Sequence, residues 1–116
     1  MRKPIETKLC PLAHAVDQIG DAWMLMILWT SFENVTRFDD YQRQLGVARN
    51  ILSNRLRRLV EMGILEKRPV REGARRLEYR LTPKGEELRG PLTDMRRWGE
   101  RWSMRKVESE PEFVGA

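Results

Sequence analysis

The 116-residue chain is predicted to be mainly α-helical with one two-stranded antiparallel hairpin, and three features of residues 37–81 carry that prediction. A short helical pattern, with Phe38, Tyr41 and Leu45 spaced to pack inward, runs up to a turn at Gly46. In the longer pattern that follows, Leu52, Leu56, Leu59 and Val60 recur at i, i+4, i+7 and i+8, one apolar stripe at the helical period. Two β-type runs, 64–68 and 76–81, then flank a basic loop and read as antiparallel strands. The length suits a single domain with one core and is short for two.

Each element has a local reason. Residues 1–8 are polar and form an arm with no assignable chemistry. Cys10-Pro11 opens a short helix through about Gln18, with proline suited to its first turn, and Gly20 ends it. Asp21 is a good N-cap for AWMLMILWTSF, apolar on nearly all sides and therefore the expected central helix. Ala22, Trp23, Leu25, Met26, Ile27, Leu28 and Trp29 are its core or dimer-contact candidates. Thr36-Arg37 starts the next helix, and Gly63 ends the long one at the position that favours glycine. Thr82 caps a last helix with Pro83 at its first position, although Gly90-Pro91 interrupts or kinks its entry. Leu88, Leu92, Met95, Trp98 and Trp102 form a stripe longer than one small domain needs. With Leu12 and Val16 of the first helix they are the expected dimer seam, because exposed aromatic stripes are a liability on a monomer. Residues 1–105 are thus one domain; from 106 the tail loses periodicity and is expected to be disordered.

The long helix, residues 48–62, suggests a function. Opposite its leucines, Asn50, Ser53, Asn54 and Arg57 share one face. Amides suit adenine, guanidinium suits guanine or phosphate, and a hydroxyl suits either. Polar helix faces are usually only solvated. This one carries no acid between Asp40 and Glu61, follows a helix and turn, and precedes a hairpin. Together these make a winged helix-turn-helix that lays its second helix in a major groove. Charge agrees: residues 37–80 hold twelve Lys and Arg against six Asp and Glu, while the rest holds ten against eleven. The basic excess therefore lies in the proposed reading module, which favours double-stranded DNA. Arg37, Arg43, Arg49, Arg71, Arg75 and Arg76 are the expected backbone and wing contacts.

The order of these pieces resembles the HxlR-type winged helix-turn-helix regulators of bacteria. Matching stretches are Cys10-Pro11, Ile19-Gly20-Asp21 with Trp23, Ile27-Leu28, Arg37-Phe38, Leu45-Gly46-Val47 and Leu52-Ser53 with Leu56 and Leu59. They continue through Gly63-Ile64-Leu65, Glu78-Tyr79, Leu81-Thr82-Pro83 and Gly85, over about residues 9–102. The resemblance implies a homodimeric transcriptional regulator on a palindromic operator, with repression the commoner outcome. Two positions depart from the pattern: Ala22, where a basic residue is usual, and Ala48, where a hydroxyl residue usually opens the reading helix. Those departures favour the alternative, a protein-interaction adaptor that has lost DNA binding.

Other chemistry is thin. The single Cys10 cannot form an internal disulfide, which fits a reducing cytosol. It lies near Lys8 at a helix start, where reactive thiols are found, and the resemblance implies a redox or electrophile sensor there; a packing cysteine is the alternative. Cys10, His14 and Asp17 have a spacing that could gather a metal, but three ligands leave an open site, and neither metal nor cofactor is expected. A Cys10–His14 nucleophile lacks any orienting third group, so an enzyme is not expected. Met24, Met26, Met95, Met104 and the four tryptophans are either core or the lining of a pocket for a small apolar or aromatic effector. No GxGxxG or Walker loop is present. No apolar run approaches membrane-spanning length, and a cytoplasmic protein is expected.

Overall fold

A computed structural model of the chain describes residues 10–104; the expectations for the arm and for the tail from 106 lie outside the described residues. Helices α1 (Pro11–Ile19) and α2 (Ala22–Phe32) are followed by α3 (Phe38–Leu45) and α4 (Arg49–Glu61). Strands β1 (Leu65–Pro69) and β2 (Leu77–Leu81) come next, then the single turn α5 (Pro83–Glu86) and α6 (Arg89–Gly99). A π-helical turn, Glu100–Met104, extends α6.

The caps explain where the helices begin. Cys10 Sγ accepts from Ala13 N at 3.3 Å, Asp21 Oδ1 from Met24 N at 3.0 Å, and Thr82 Oγ1 from Gly85 N at 3.1 Å. Each side-chain acceptor satisfies an N–H that has no partner inside its helix. Gly46 (φ 65°) and Gly63 (φ 75°) take the left-handed conformation that ends α3 and α4. The expected break in the last helix is real: α5 stops at Glu86 and the chain restarts at Arg89, with Gly90-Pro91 in the first turn of α6.

At the centre lies α2, whose Met24, Ile27 and Leu28 have no exposed surface. Around it close Tyr41 of α3, Leu52, Leu56 and Leu59 of α4, and Leu65 of β1, all fully buried. The outer side of α2 is open, with Ala22 exposed and Met26 46% exposed.

The hairpin pairs Leu65 with Leu81, Lys67 with Tyr79 and Pro69 with Leu77, one residue later in chain position than the sequence suggests for both strand starts. A backbone bond from Tyr79 N to Thr36 O (2.7 Å) fastens β2 to the segment before α3, so the hairpin's root stands beside the helix-turn-helix.

The expected dimer seam divides. Leu92 is only 6% exposed and belongs to the protomer's own core, with Leu88 half-buried against that core. Both are thus corrected from seam to core, because α6 turns this end of its stripe toward α2. Leu12, Val16, Met95, Trp98 and Trp102 stay on the surface.

Candidate nucleic-acid interface

Both ends of α4 are fixed to the rest of the domain. At its start Ala48 has the extended conformation of an N-cap (φ −63°, ψ 145°), but no side chain caps the helix. The turn before it is held by Gln42 Nε2 donating to Val47 O at 3.3 Å. At its end Lys84 Nζ donates to Met62 O at 2.6 Å, and Ile64 O accepts from Thr82 N at 3.1 Å. Gly85 lies so close that an added Cβ would sit 2.3 Å from Ile64 O. Only glycine permits that approach.

With its leucines buried, α4 turns Asn50, Ser53 and Arg57 to solvent, and these three have no side-chain partner among the described residues. Asn54 differs. It is half-buried, and its Oδ1 accepts from Arg55 Nη1 at 3.0 Å. Arg55 in turn forks onto Asp21, with Nε 3.3 Å from Oδ1 and Nη2 3.0 Å from Oδ2. The Asp21 carboxylate therefore caps α2 and anchors α4 together. Its hydrogen-bonded Arg55 holds the Asp21 carboxyl below the ordinary value, burial opposes, and the Met24 N–H adds to the lowering. The sequence reading passed over Arg55; its contact spans 34 positions and leaves no local spacing signal.

The six arginines expected on the backbone gather in two adjoining clefts. One, of about 340 Å³, is lined by Arg37, Val70, Arg71, Ala74, Arg75 and Arg76. The other, of about 370 Å³, is lined by Arg37, Phe38, Arg43, Arg49, Arg76 and Leu77, with Asp39 and Asp40. Arg37 and Arg76 belong to both. The hairpin root thus closes onto the start of α3, and one basic trough leads from the wing to the N-terminal end of α4. Within it Arg43 pairs with Asp40. Arg49 lies 4.6 Å over the Phe38 ring, 3.1 Å from Gln42 Oε1 and 3.5 Å from Asp39. Arg37, Arg71, Arg75 and Arg76 have no partner among the described residues. Two arginines are thus pre-oriented and four are free to meet an anion.

The other singled-out residues fall elsewhere. Cys10 is exposed at the N-cap of α1, and His14 is also exposed. No cluster of three His, Cys, Asp or Glu among the described residues could hold a metal ion. An apolar groove of about 450 Å³ between α2 and α6 is lined by Ala22, Leu25, Met26, Trp29, Leu92, Met95 and Arg96. Of the residues expected at an effector pocket, Met26, Met95 and Trp29 reach this groove, whereas Met24 lies in the core and the Met104 side chain is outside the described residues. No described helix is long and apolar enough to cross a membrane.

Residues 18–107 match the family model described as HxlR-like helix-turn-helix. An HTH-type transcriptional regulator of Mycobacterium tuberculosis, Rv3095, is 37% identical over 91 residues, which cover 78% of this chain and 58% of the relative. The chain therefore spans little more than half of that relative's length. Among solved structures, the transcription factor PA1607 superposes with a TM-score of 0.78 at 44% identity, covering 84% of this chain and 68% of that one. The redox regulator HypR in its reduced form gives 0.74 at 26%, covering 86% and 99%. These relatives are transcriptional regulators, not enzymes. By its sequence and its winged fold, the chain belongs to the HxlR-like helix-turn-helix family.

Proposed function

We propose that the protein is a sequence-specific double-stranded DNA-binding transcriptional regulator acting as a homodimer. In this reading α4 enters the major groove and the wing, residues 69–76, lies along the flanking backbone or minor groove. Asn50, Ser53, Asn54 and Arg57 contact bases; Arg37, Arg43, Arg49, Arg71, Arg75 and Arg76 hold phosphates. The observation that carries the proposal is the pair of clefts sharing Arg37 and Arg76 beside an exposed polar helix face. A basic trough next to a groove-sized helix is what fixes register on a duplex.

The exposed Leu12, Val16, Met95, Trp98 and Trp102 support the homodimer, since a lone protomer would leave this apolar surface wet. A twofold dimer would read a palindromic operator with half-sites about 34 Å apart, or a multiple of that. An exposed Cys10 and the groove between α2 and α6 are the two places where an oxidant or a small apolar molecule would act. The protein would work in the cytoplasm, on the nucleoid.

Selection of bound sequences from random DNA, run at two salt concentrations and with and without a mild thiol oxidant, tests the reading. Enrichment of a palindrome whose binding weakens steeply with salt is expected. Absent or salt-insensitive binding would sink it in favour of a protein-docking adaptor.

A further inference from the structure

The contact between Arg55 and Asn54 bears on which base the protein reads. A guanidinium has five N–H donors and no acceptor, so the Asn54 group facing Arg55 Nη1 at 3.0 Å must be its carbonyl oxygen. The amide orientation is thereby fixed by chemistry. Arg55 is itself held by the two-pronged contact with Asp21, at 3.0 and 3.3 Å. That pair is largely shielded, with side chains 22% and 35% exposed. Asparagine ordinarily reads adenine with both ends of its amide, the oxygen accepting from N6 and the nitrogen donating to N7. Here the oxygen is occupied. What remains for a ligand is the NH2 group, with two donors and no partner among the described residues.

We propose that Asp21 and Arg55 act as positioning residues that make Asn54 a donor-only reader, so that the base it meets is guanine or thymine rather than adenine. This rests on the DNA-reading function proposed above and specifies its target. Guanine offers N7 and O6 side by side and thymine offers O4, all acceptors in the major groove. Adenine would set its N6 donor against an amide with no free oxygen. Asp21 has no contact with the reading face, yet its carboxylate decides the polarity of a side chain there.

The test is sequence selection with the full-length wild-type chain and its variants. Asn54→Ala identifies the operator position at which preference is lost, and the wild type is expected to favour guanine or thymine there. Arg55→Met releases the Asn54 oxygen and should shift that position toward adenine by about tenfold, the range of one bidentate contact. Arg55→Lys should shift it the same way, because one ammonium cannot span Asp21 and Asn54 together. Asp21→Asn keeps an oxygen to cap α2 but turns an amide NH2 toward the guanidinium, so Arg55 is released. It carries the test if Arg55→Met does not fold. A purely structural role for Arg55 would lower affinity for all sequences and leave the preferred base unchanged. That result overturns the proposal, as does a wild-type adenine at the mapped position, or no position mapped by Asn54→Ala; in each case DNA reading still stands. If the wild type enriches no sequence, both fall.

Discussion

The hydroxyl of Tyr41 lies 2.6 Å from Oγ of Ser31, joining the first helix of the helix-turn-helix to the central helix inside the core. Ser31 Oγ also donates to Ile27 O at 3.0 Å, so its single proton is committed and Tyr41 must be the donor between them. Two expectations follow from that direction. Tyr41→Phe removes the donor and leaves Ser31 bonded to Ile27, a loss of about 1 kcal/mol. Ser31→Ala removes the acceptor and strands a buried hydroxyl, costing about 1–3 kcal/mol. Urea denaturation should rank Ser31→Ala below Tyr41→Phe; the reverse order would contradict the assignment.

The same burial gives a pH dependence. Desolvation pushes the Tyr41 phenol from its ordinary 10.0 up to about 12, with the Ser31 hydrogen bond opposing. Below pH 10 the phenol is neutral in both states and stability is unaffected by it. As pH rises from about 10 to 12 the unfolded chain ionises first, so stability falls, by about 2–3 kcal/mol in all. Tyr41→Phe should flatten that part of the stability profile. An unchanged slope would show that the phenol is not the group responsible.

What could be read from the sequence was local. Gly46, Gly63, Asp21 and Thr82 announce their turns and caps because the reason for each lies within four residues. The leucine stripe placed α4 correctly, since a 3.6-residue period reports which face is buried. The sequence could not say where the α6 stripe changes from core to surface. Periodicity gives Leu92 and Trp98 one face, but only the tilt of α6 across α2 buries the first and leaves the second 60% exposed. Nor could it separate Asn54 from Asn50: both belong to the polar face, and only a partner 34 positions away from Asp21 distinguishes them. The basic trough was foreseen as a set of arginines, not as a shape. Its shape depends on the Tyr79–Thr36 bond that brings the hairpin root to α3.

Two glycines in neighbouring elements should respond oppositely to alanine. A Cβ on Gly85 would lie 2.3 Å from the carbonyl oxygen of Ile64, a backbone atom that cannot rotate away. Gly85→Ala must therefore push α5 off the start of β1, at about 1–3 kcal/mol. Gly90 lies in the first turn of α6 with nothing within 4 Å of its would-be Cβ. There Gly90→Ala should stabilise by about 0.5–1 kcal/mol, because the unfolded chain loses freedom and helix propensity rises. Equal effects in thermal unfolding would disprove the close approach of α5 to Ile64.

Ala48 holds the backbone of an N-cap without the side chain for it. Its extended φ and ψ already match what serine adopts there, so Ala48→Ser needs no rearrangement. The new hydroxyl would accept from an N–H of the first turn of α4 and should raise stability by about 1 kcal/mol. If α4 reads DNA, firmer anchoring of its start should also slow dissociation from the selected operator. Thermal unfolding and operator dissociation rates measure the two effects. A stability gain without a kinetic change would place the N-terminal end of α4 away from the duplex.

Arg57 and Arg76 separate reading from holding. Arg57 stands on the exposed face of α4, whereas Arg76 lines both basic clefts beside Arg37. An arginine on a base edge contributes discrimination of about 1–3 kcal/mol against the wrong base. An arginine on a phosphate contributes to all sequences alike and releases a counterion. Arg57→Ala should therefore bring operator and random DNA closer in affinity. Arg76→Ala should weaken both by similar factors and reduce the slope of log affinity against log salt by about one. Titrations of each variant on both DNAs at several salt concentrations resolve the two behaviours. If Arg76→Ala instead left the salt slope unchanged, the trough between the wing and α3 would not be the path of the phosphate backbone.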